Sequence, residues 1–375
     1  MNIFRRALKR VVPKPIKSWL WYAWYGYLSY SGQFKTRIDS VTLEMCSTCN
    51  IRCEVCPIPL MNRKGMLQID DFIAIVKKLP SSVKLVRLNY AGEPTLNKNI
   101  FKMIGMLKDI RPDILTHIST NGTMLHTFNM DEIIDCGVTS IAICLDGASK
   151  ETHETYRVAS DFDEICRNAK MLTERKKQRR VNSPIIIMQS LVNGLNYHEV
   201  PKMKELAKEL GVDKLHIRYM WIPGIISGMN EYNDTLKKKV SEEHVNTTIQ
   251  RYMQGLPEQY SMYYKRNGKW HIRDEAKKCL SFLVPLIYFN GDMSVCCHDP
   301  MGEEVFGNLL KDGWAGAIAK LPATKVYNKQ FRICQGCTIT NEGTNEQEIW
   351  MDKEDSKQES EATTDLTSAA RGPLS

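Results

Sequence analysis

No stretch of this 375-residue chain is apolar for long enough to span a bilayer, and no convincing secretory signal opens it. A Lys/Arg block interleaved with aromatics is also missing, which sets nucleic acid aside as a partner despite a formal net charge of +8. The first 37 positions hold eight Lys/Arg and no acid, so part of that excess is local. The 12 cysteines would suit a disulfide scaffold only in a short secreted chain. Clustered thiols in a chain of this kind are expected to stay reduced in the cytoplasm and to bind metal. No cysteine follows Cys337.

What is present starts with Leu43-Glu44-Met45-Cys46-Ser47-Thr48-Cys49-Asn50-Ile51-Arg52-Cys53-Glu54-Val55-Cys56-Pro57, directly after a strand-like run from Ile38 to Met45. Cys49, Cys53 and Cys56 follow the spacing C-x3-C-x2-C. Three thiolates on one loop hold three irons of a [4Fe-4S] cube and leave the fourth open. Zinc is the alternative, with Cys46 offered as its fourth ligand, and reduced core cysteines are the other.

C-x3-C-x2-C after a first strand resembles the signature of the radical S-adenosylmethionine (SAM) superfamily. The resemblance implies that the open iron chelates the amino and carboxylate groups of SAM, and that one electron splits the sulfonium to a 5'-deoxyadenosyl radical. It also implies an external donor of the flavodoxin or ferredoxin type.

The chain divides into five parts: a basic, aromatic segment 1–37, a core 38–220, a connecting region 221–278, a cysteine-rich region 279–340 and a polar tail 341–375, the last expected to be disordered. In the core, short β-branched runs alternate with longer amphipathic ones, the pattern of βα units on a parallel sheet. Strands are predicted near 38–45, 84–89, 114–119, 139–145, 184–191 and 214–219, with helices near 69–79, 98–110, 130–136, 162–177 and 198–210. The fold class is therefore α/β, a partial (βα)6 TIM-like barrel with its chemistry at the C-terminal rim, and a small cysteine-rich domain after it. The connecting region is expected to cover the barrel mouth.

The family's motifs have counterparts at the strand ends. Gly92-Glu93-Pro94 resembles the G-E-P element, in which Glu93 would accept from the SAM ammonium group, an apt charge-assisted pair. Thr120-Asn121-Gly122 resembles the T-N-G turn, so Ser119 and Asn121 are candidate SAM contacts. Cys144-Leu145-Asp146-Gly147 stands where relatives often read S-L-D-G, making Cys144 and Asp146 candidates on one strand face. His153-Glu154-Thr155-Tyr156-Arg157 resembles H-x-x-x-R, and Arg157 would meet the SAM carboxylate or a substrate anion. Each also has an ordinary turn, capping or core reading. Gln189, His216 and Arg218 are further inward polar candidates, Arg175 to Arg180 reads as a solvated face, and Cys136 and Cys166 read as core residues.

Cys279, eleven residues, Gly291, four residues, Cys296, then Cys334-Gln335-Gly336-Cys337 resembles the SPASM/twitch extension of the superfamily, with Pro285 to Val295 forming an Asn-Gly hairpin. The resemblance implies one auxiliary [4Fe-4S] cluster on Cys279, Cys296, Cys334 and Cys337, with Cys297 as an alternative to Cys296. Zinc on the same four is the other reading. A closed cluster favours electron transfer, and the resemblance implies, as the first reading, oxidation or epimerisation of a small, carbohydrate- or aminocyclitol-like molecule. Modification of a ribosomally made peptide is the second reading, and a non-catalytic zinc scaffold the third. The segment Trp19 to Tyr30 is expected to pack against the barrel or another chain, with peripheral membrane contact through residues 1–30 as the alternative. No residue is assigned as the catalytic base.

Overall fold

The computed structural model describes residues 14–220, 242–261, 263–266, 269–272, 278–296, 299–331, 334 and 347–351. Six parallel strands form its centre: β1 (Ser40–Leu43), β2 (Leu85–Arg87), β3 (Leu115–Thr120), β4 (Ser140–Cys144), β5 (Ile185–Val192) and β6 (Lys214–Tyr219). Each lies within two residues of the run that predicts its start, apart from the frayed ends of the first two. Helices α2 (Ile69–Lys78), α3 (Ile100–Ile110), α4 (Met130–Asp135), α5 (Lys150–Tyr156), α6 (Phe162–Gln178) and α7 (Val200–Glu209) connect them, and α1 (Lys14–Ser31) precedes them.

The layering follows from alternation along the strands. Val86, Ile118, Ile141, Ile143, Ile186, Met188, Leu215 and Ile217 are fully buried on the helix-facing side, against Phe72, Ile75, Phe101, Ile104, Ile165, Leu172 and Met203. Helix polarity is set by ends as well as faces. In α6 the Asp161 side chain accepts from Glu164 N at 2.9 Å, acids fill the first turn and Arg175, Lys176 and Lys177 the last. The basic run ending α6 is less free than predicted, because Arg175 and Arg179 pair with Asp131 and Asp135 of α4, and Lys176 with Asp213.

Both edges of the sheet are extended by later sequence. β7 (Leu286–Ile287) runs parallel to β1, then turns through Tyr288 to Gly291 into β8 (Asp292–Ser294) and on to β9 (Val305–Asn308). Gly291, at φ +83°, supplies the left-handed position of the predicted Asn-Gly turn. The cysteine-rich region thus grafts its hairpin onto the barrel sheet. At the far edge, β10 (Gln347–Trp350) pairs antiparallel with β6. This corrects the expectation of a disordered tail at these positions: the strand covers an open edge, and Ile349 packs on the core. Positions 341–346 and 352–375 lie outside the described residues.

The connecting region holds α8 (Glu242–Met253) and a hairpin of Tyr263–Arg266 with Lys269–Ile272. After β9 come α9 (Leu309–Ala319) and α10 (Ala323–Tyr327). α1 packs its Leu28 and Ser29 side onto α10, where Thr324 Oγ1 donates to Ser29 O and the Tyr327 hydroxyl to Tyr22 O. Its other side leaves Leu20, Trp24, Tyr27 and Tyr30 exposed. Among the described residues no helix is long and apolar enough to cross a membrane.

Candidate active site

The cysteine loop leaves β1 and lies over the strand ends, held by several separate ties. Gly92 N–H and Glu93 belong to a loop that approaches it so closely that a β-carbon on Gly92 would sit 2.2 Å from Cys46 O, and φ there is +78°. The small residue of this motif therefore admits the cysteine loop's own backbone. Asn121 Nδ2 donates to Asn50 Oδ1 at 2.9 Å and lies 3.8 Å from Cys49 Sγ, while Asn50 Nδ2 donates to Thr123 Oγ1. Two-residue strands Arg52–Cys53 and Arg157–Val158 pair directly, register Cys53↔Arg157.

Arg157 is the charge at this junction. Asp146, 1% exposed, accepts from Arg157 Nε at 2.6 Å with one oxygen and from Leu191 N at 2.7 Å with the other. Arg157 Nη1 then stands 4.0 Å from Cys53 Sγ. The Asp146 turn is itself fixed: Asn196 Nδ2 donates to Asp146 O, His153 Nδ1 accepts from Asp146 N, and Glu199 accepts from Ala148 N, Ser149 Oγ and Thr152 Oγ1. A buried carboxylate with both oxygens engaged positions its cation firmly. Asp146 thus acts on the cysteine loop through Arg157.

Glu93 is likewise committed. Its Oε1 accepts from Thr95 N, Thr95 Oγ1 and Thr120 Oγ1, and its Oε2 from Asn121 N at 2.7 Å. Burial raises its pKa and these hydrogen bonds oppose the rise. The carboxylate so fastens the end of β2 to the end of β3. Ser119, Cys144 and Gln189 form a polar trio on neighbouring strands, with Ser119 Oγ 3.4 Å from Cys144 Sγ and Gln189 Nε2 at 3.5 Å from both.

The thiols suit a cluster. Cys49, Cys53 and Cys56 feel one another's charge, and Ile51 and Ile58 direct backbone N–H groups at Cys49 and Cys56. Burial pushes the Cys49 thiol up to about 11 and Cys56 up to about 12. Metal must therefore displace protons on loading. Among the described residues no three Cys, His, Asp or Glu side chains close around one ion position. A single zinc would draw thiolates to about 3.8 Å of each other, whereas a cube ligated at its corners holds them further apart. Cys46, the suggested fourth zinc ligand, is 1% exposed and turned to Thr48, with Sγ 3.1 Å from its hydroxyl. Cys136 and Cys166 are packed in or against the core, as predicted.

Sequence reasoning missed two supports. Glu44, fully buried, takes a bidentate pair from Arg63 at 2.5 and 2.9 Å and also accepts from Phe289 N, while Arg63 Nε donates to Pro300 O. Glu54 accepts from Tyr252 OH at 2.6 Å and pairs with Arg251, so α8 covers one side of the cysteine loop. Their partners are distant in sequence, and no local signal names them.

Cys279, Cys296 and Cys334 also converge: burial pushes Cys334 up to about 12, with the charges of Cys296 and Cys279 contributing. Cys279 N donates to Tyr327 O, and Ser281 ties the Cys279 thiol to Val295 O. Cys297 and Cys337 lie outside the described residues.

An α/β barrel of six parallel strands with a buttressed three-thiol loop over its C-terminal rim defines a class of cluster-bearing proteins. The model of the Radical SAM superfamily matches residues 43–224, and this domain belongs to that superfamily, whose cofactors are SAM and a [4Fe-4S] cluster. It is 24% identical over 281 residues to GTP 3',8-cyclase of Aliarcobacter butzleri, covering 70% of this chain and 84% of that one. In fold it resembles native anSMEcpe with bound AdoMet, with TM-score 0.53, 16% identity and coverage of 79% of this chain and 88% of the other. The Streptococcus suis protein SuiB bound to precursor peptide SuiA gives TM-score 0.51 and 13% identity, covering 80% and 74%.

Proposed function

We propose that the chain uses SAM to abstract a hydrogen atom from a small polar molecule, oxidising or epimerising a carbinol of a sugar or aminocyclitol. The supporting observation is the trio Ser119, Cys144 and Gln189, an uncharged hydrogen-bonding set on three adjacent strands under the cysteine loop. When bound, the [4Fe-4S] cluster with its open iron supplies the electron that splits SAM into methionine and the hydrogen-abstracting radical. Cys49, Cys53 and Cys56 hold that cluster, and Arg157, braced by Asp146, presents a cation to it and to the SAM carboxylate. Asn121 and Glu93 fix the adjoining turns, and Ser119 and Cys144 border the nucleoside. In an oxidation the substrate would also give up a proton and a second electron, and Cys279, Cys296, Cys334 and Cys337 would hold an auxiliary cluster able to accept that electron. The nearness of Cys279 and Cys296 to Cys334 supports that role. A flavodoxin- or ferredoxin-type protein is the proposed donor.

Peptide modification is the second reading, favoured by the fold shared with peptide-bound SuiB. Deuterated substrates decide between them: label passing from a sugar or aminocyclitol carbinol into 5'-deoxyadenosine supports the first, and label passing only from a peptide overturns it. Replacing Cys49, Cys53 and Cys56 together by Ala should abolish SAM cleavage and remove about four of about eight irons. Cleavage by that variant would defeat the assignment.

The outward face of α1, with Leu20, Trp24, Tyr27 and Tyr30 beside a segment of eight cations, supports contact with an anionic membrane surface. Co-sedimentation with anionic but not zwitterionic vesicles, lost in Trp24→Ala/Tyr27→Ala, tests it, and equal binding to both lipids excludes it.

A further inference from the structure

The cysteine loop has an outer side as well as the inner one that faces the strand ends. In the two-residue ribbon, Cys53 pairs with Arg157 and Arg52 with Val158. Side chains alternate across such a ribbon, so with Arg157 turned toward Asp146 and Cys53, Arg52 and Val158 point the other way. Both are exposed, Val158 by 47%, and the Arg52 side chain has no hydrogen bond or ion pair among the described residues. Adjacent Cα atoms lie about 3.8 Å apart, which puts this basic and apolar face one residue's thickness from a cluster thiol.

The face continues past Glu54, which accepts from Tyr252 OH and pairs with the exposed Arg251. Beside Arg251 opens a depression of about 680 Å³ lined by Gly194, Leu195, Thr247, Gln250, Arg251 and Gln254. Its floor is closely packed: Gly194 N donates to Tyr252 O at 2.6 Å, and a β-carbon on Gly194 would sit 2.5 Å from Gln254 O. Beneath it the Tyr252 ring meets Tyr156 edge-on at 5.5 Å, and Tyr156 feels the charges of Cys53 and Cys56. Acids of the neighbouring turn do not cancel the arginines, because Asp163 pairs with Lys150 and Asp161 sits in the field of Lys150 and Arg167.

We infer that this outer face docks the electron donor, an acidic protein that carries one electron near its surface. Arg52 and Arg251 meet its carboxylates, Val158 its apolar rim, and the depression takes a projecting loop. This rests on the radical reading above and deepens it by seating the donor. The donor is oxidised by one electron, which passes to the cluster held on Cys49, Cys53 and Cys56, and no bond or proton is exchanged. A net charge of +8 steers an acidic partner toward the chain. Redox encounters use small, weakly held interfaces, which two arginines, a valine and an open depression match. Ser119, Cys144 and Gln189 lie under the loop, so donor and substrate approach from opposite sides.

The first test is binding without turnover: oxidised flavodoxin and an oxidised [2Fe-2S] ferredoxin, both acidic, are presented to the cluster-loaded protein at low and high salt. At least one should bind, and high salt should release it. Arg52→Glu and Val158→Asp should each weaken that binding about tenfold, whereas Lys102→Glu, an exposed charge reversal on α3, should not. Driven by the reduced carrier, SAM cleavage should fall in the same proportion in the first two variants, and driven by dithionite, which needs no docking, it should match the parent. Absence of binding by both carriers, unchanged affinity in both variants, equal weakening in Lys102→Glu, or parallel loss of dithionite-driven cleavage would overturn the inference. So would self-association that Arg52→Glu abolishes while carrier affinity stays, since a second copy would then occupy the face. If the unaltered protein cleaves no SAM with dithionite, the radical reading fails instead, and the binding measurement still decides the docking face.

Discussion

The two cysteine regions reach comparable ends by opposite routes. In the first, Cys49, Cys53 and Cys56 lie within eight residues, and the barrel contributes braces around a motif already complete in sequence. In the second, Cys279, Cys296 and Cys334 are scattered over the C-terminal sequence. They come near one another where β7 joins β1, the hairpin turns at Gly291, and α10 returns its Tyr327 carbonyl to Cys279 N. A local site depends on loop conformation. A dispersed one depends on the whole edge of the sheet, and so should fail more gradually and with different consequences.

The largest test separates their functions. Replacing Cys279, Cys296 and Cys334 together by Ala should remove about four irons yet leave SAM cleavage intact, while oxidation of substrate stops. The complementary loss expected of the Cys49, Cys53 and Cys56 variant is cleavage itself. If the C-terminal variant also ceases to cleave SAM, the regions are not separable and the comparison breaks. Iron content and 5'-deoxyadenosine yield, measured on the same preparations, decide it.

Next comes the joint between them. Arg63 follows the first cysteines, pairs with Glu44 at the end of β1, lies over the Tyr288 ring at 4.1 Å and donates to Pro300 O of the second region. Arg63→Met strands a buried carboxylate and should cost about 3–5 kcal/mol in denaturant unfolding. Glu44→Gln/Arg63→Met should recover part of that. Both iron counts should drop together in the single variant, and loss confined to one cluster would show that the joint serves only one side.

Two glycines sharpen the contrast at smaller scale. A β-carbon on Gly92 would meet the Cys46 and Thr48 carbonyl oxygens at 2.2 and 2.6 Å, both rigid backbone. On Gly291 it would meet the Leu310 side chain at 2.8 Å, which has room to turn. Both have positive φ. Gly92→Ala should therefore cost about 2–4 kcal/mol and impair SAM cleavage, against about 1–2 kcal/mol for Gly291→Ala with cleavage retained. Equal melting shifts would contradict this ordering.

Legibility in the sequence followed the same division. The six barrel strands are readable because β-branched runs of period two recur between amphipathic helices, and the strand-end motifs fall where the rim needs them. Glu93 and Asp146 read from sequence as ligand contacts, but no sequence shows that Thr95, Thr120, Asn121, Arg157 and Leu191 N also reach their oxygens. α8 and β10 were missed for lack of strong periodicity. Glu44 with Phe289, 245 residues apart, lies beyond any local pattern.

The smallest effect concerns acid. His153 is fully buried beside the first region, its Nδ1 accepting from Asp146 N at 3.1 Å and its ring 5.6 Å from Phe162. With Nδ1 accepting, the proton of the neutral ring resides on Nε2, which has no partner among the described residues. Burial, then the nearby Arg157 charge, lowers its pKa to about 3. The unfolded chain takes up that proton near pH 6.5, the folded chain only far below, so the stability from a neutral His153 is present above pH 6.5 and lost as pH falls. The slope is about 1.4 kcal/mol per pH unit for this group, with a similar share from His117, whose pKa is also lowered to about 3. Urea midpoints at pH 7.5, 6.5 and 5.5 should fall below pH 6.5 in the parent chain, and about half as steeply in His153→Gln. Because His153 steadies the turn that aims Arg157 at Cys53, iron should leave the first cluster before the second as pH drops. Simultaneous loss, or an unaltered slope in the variant, would mean that acid acts on the shared sheet edge instead.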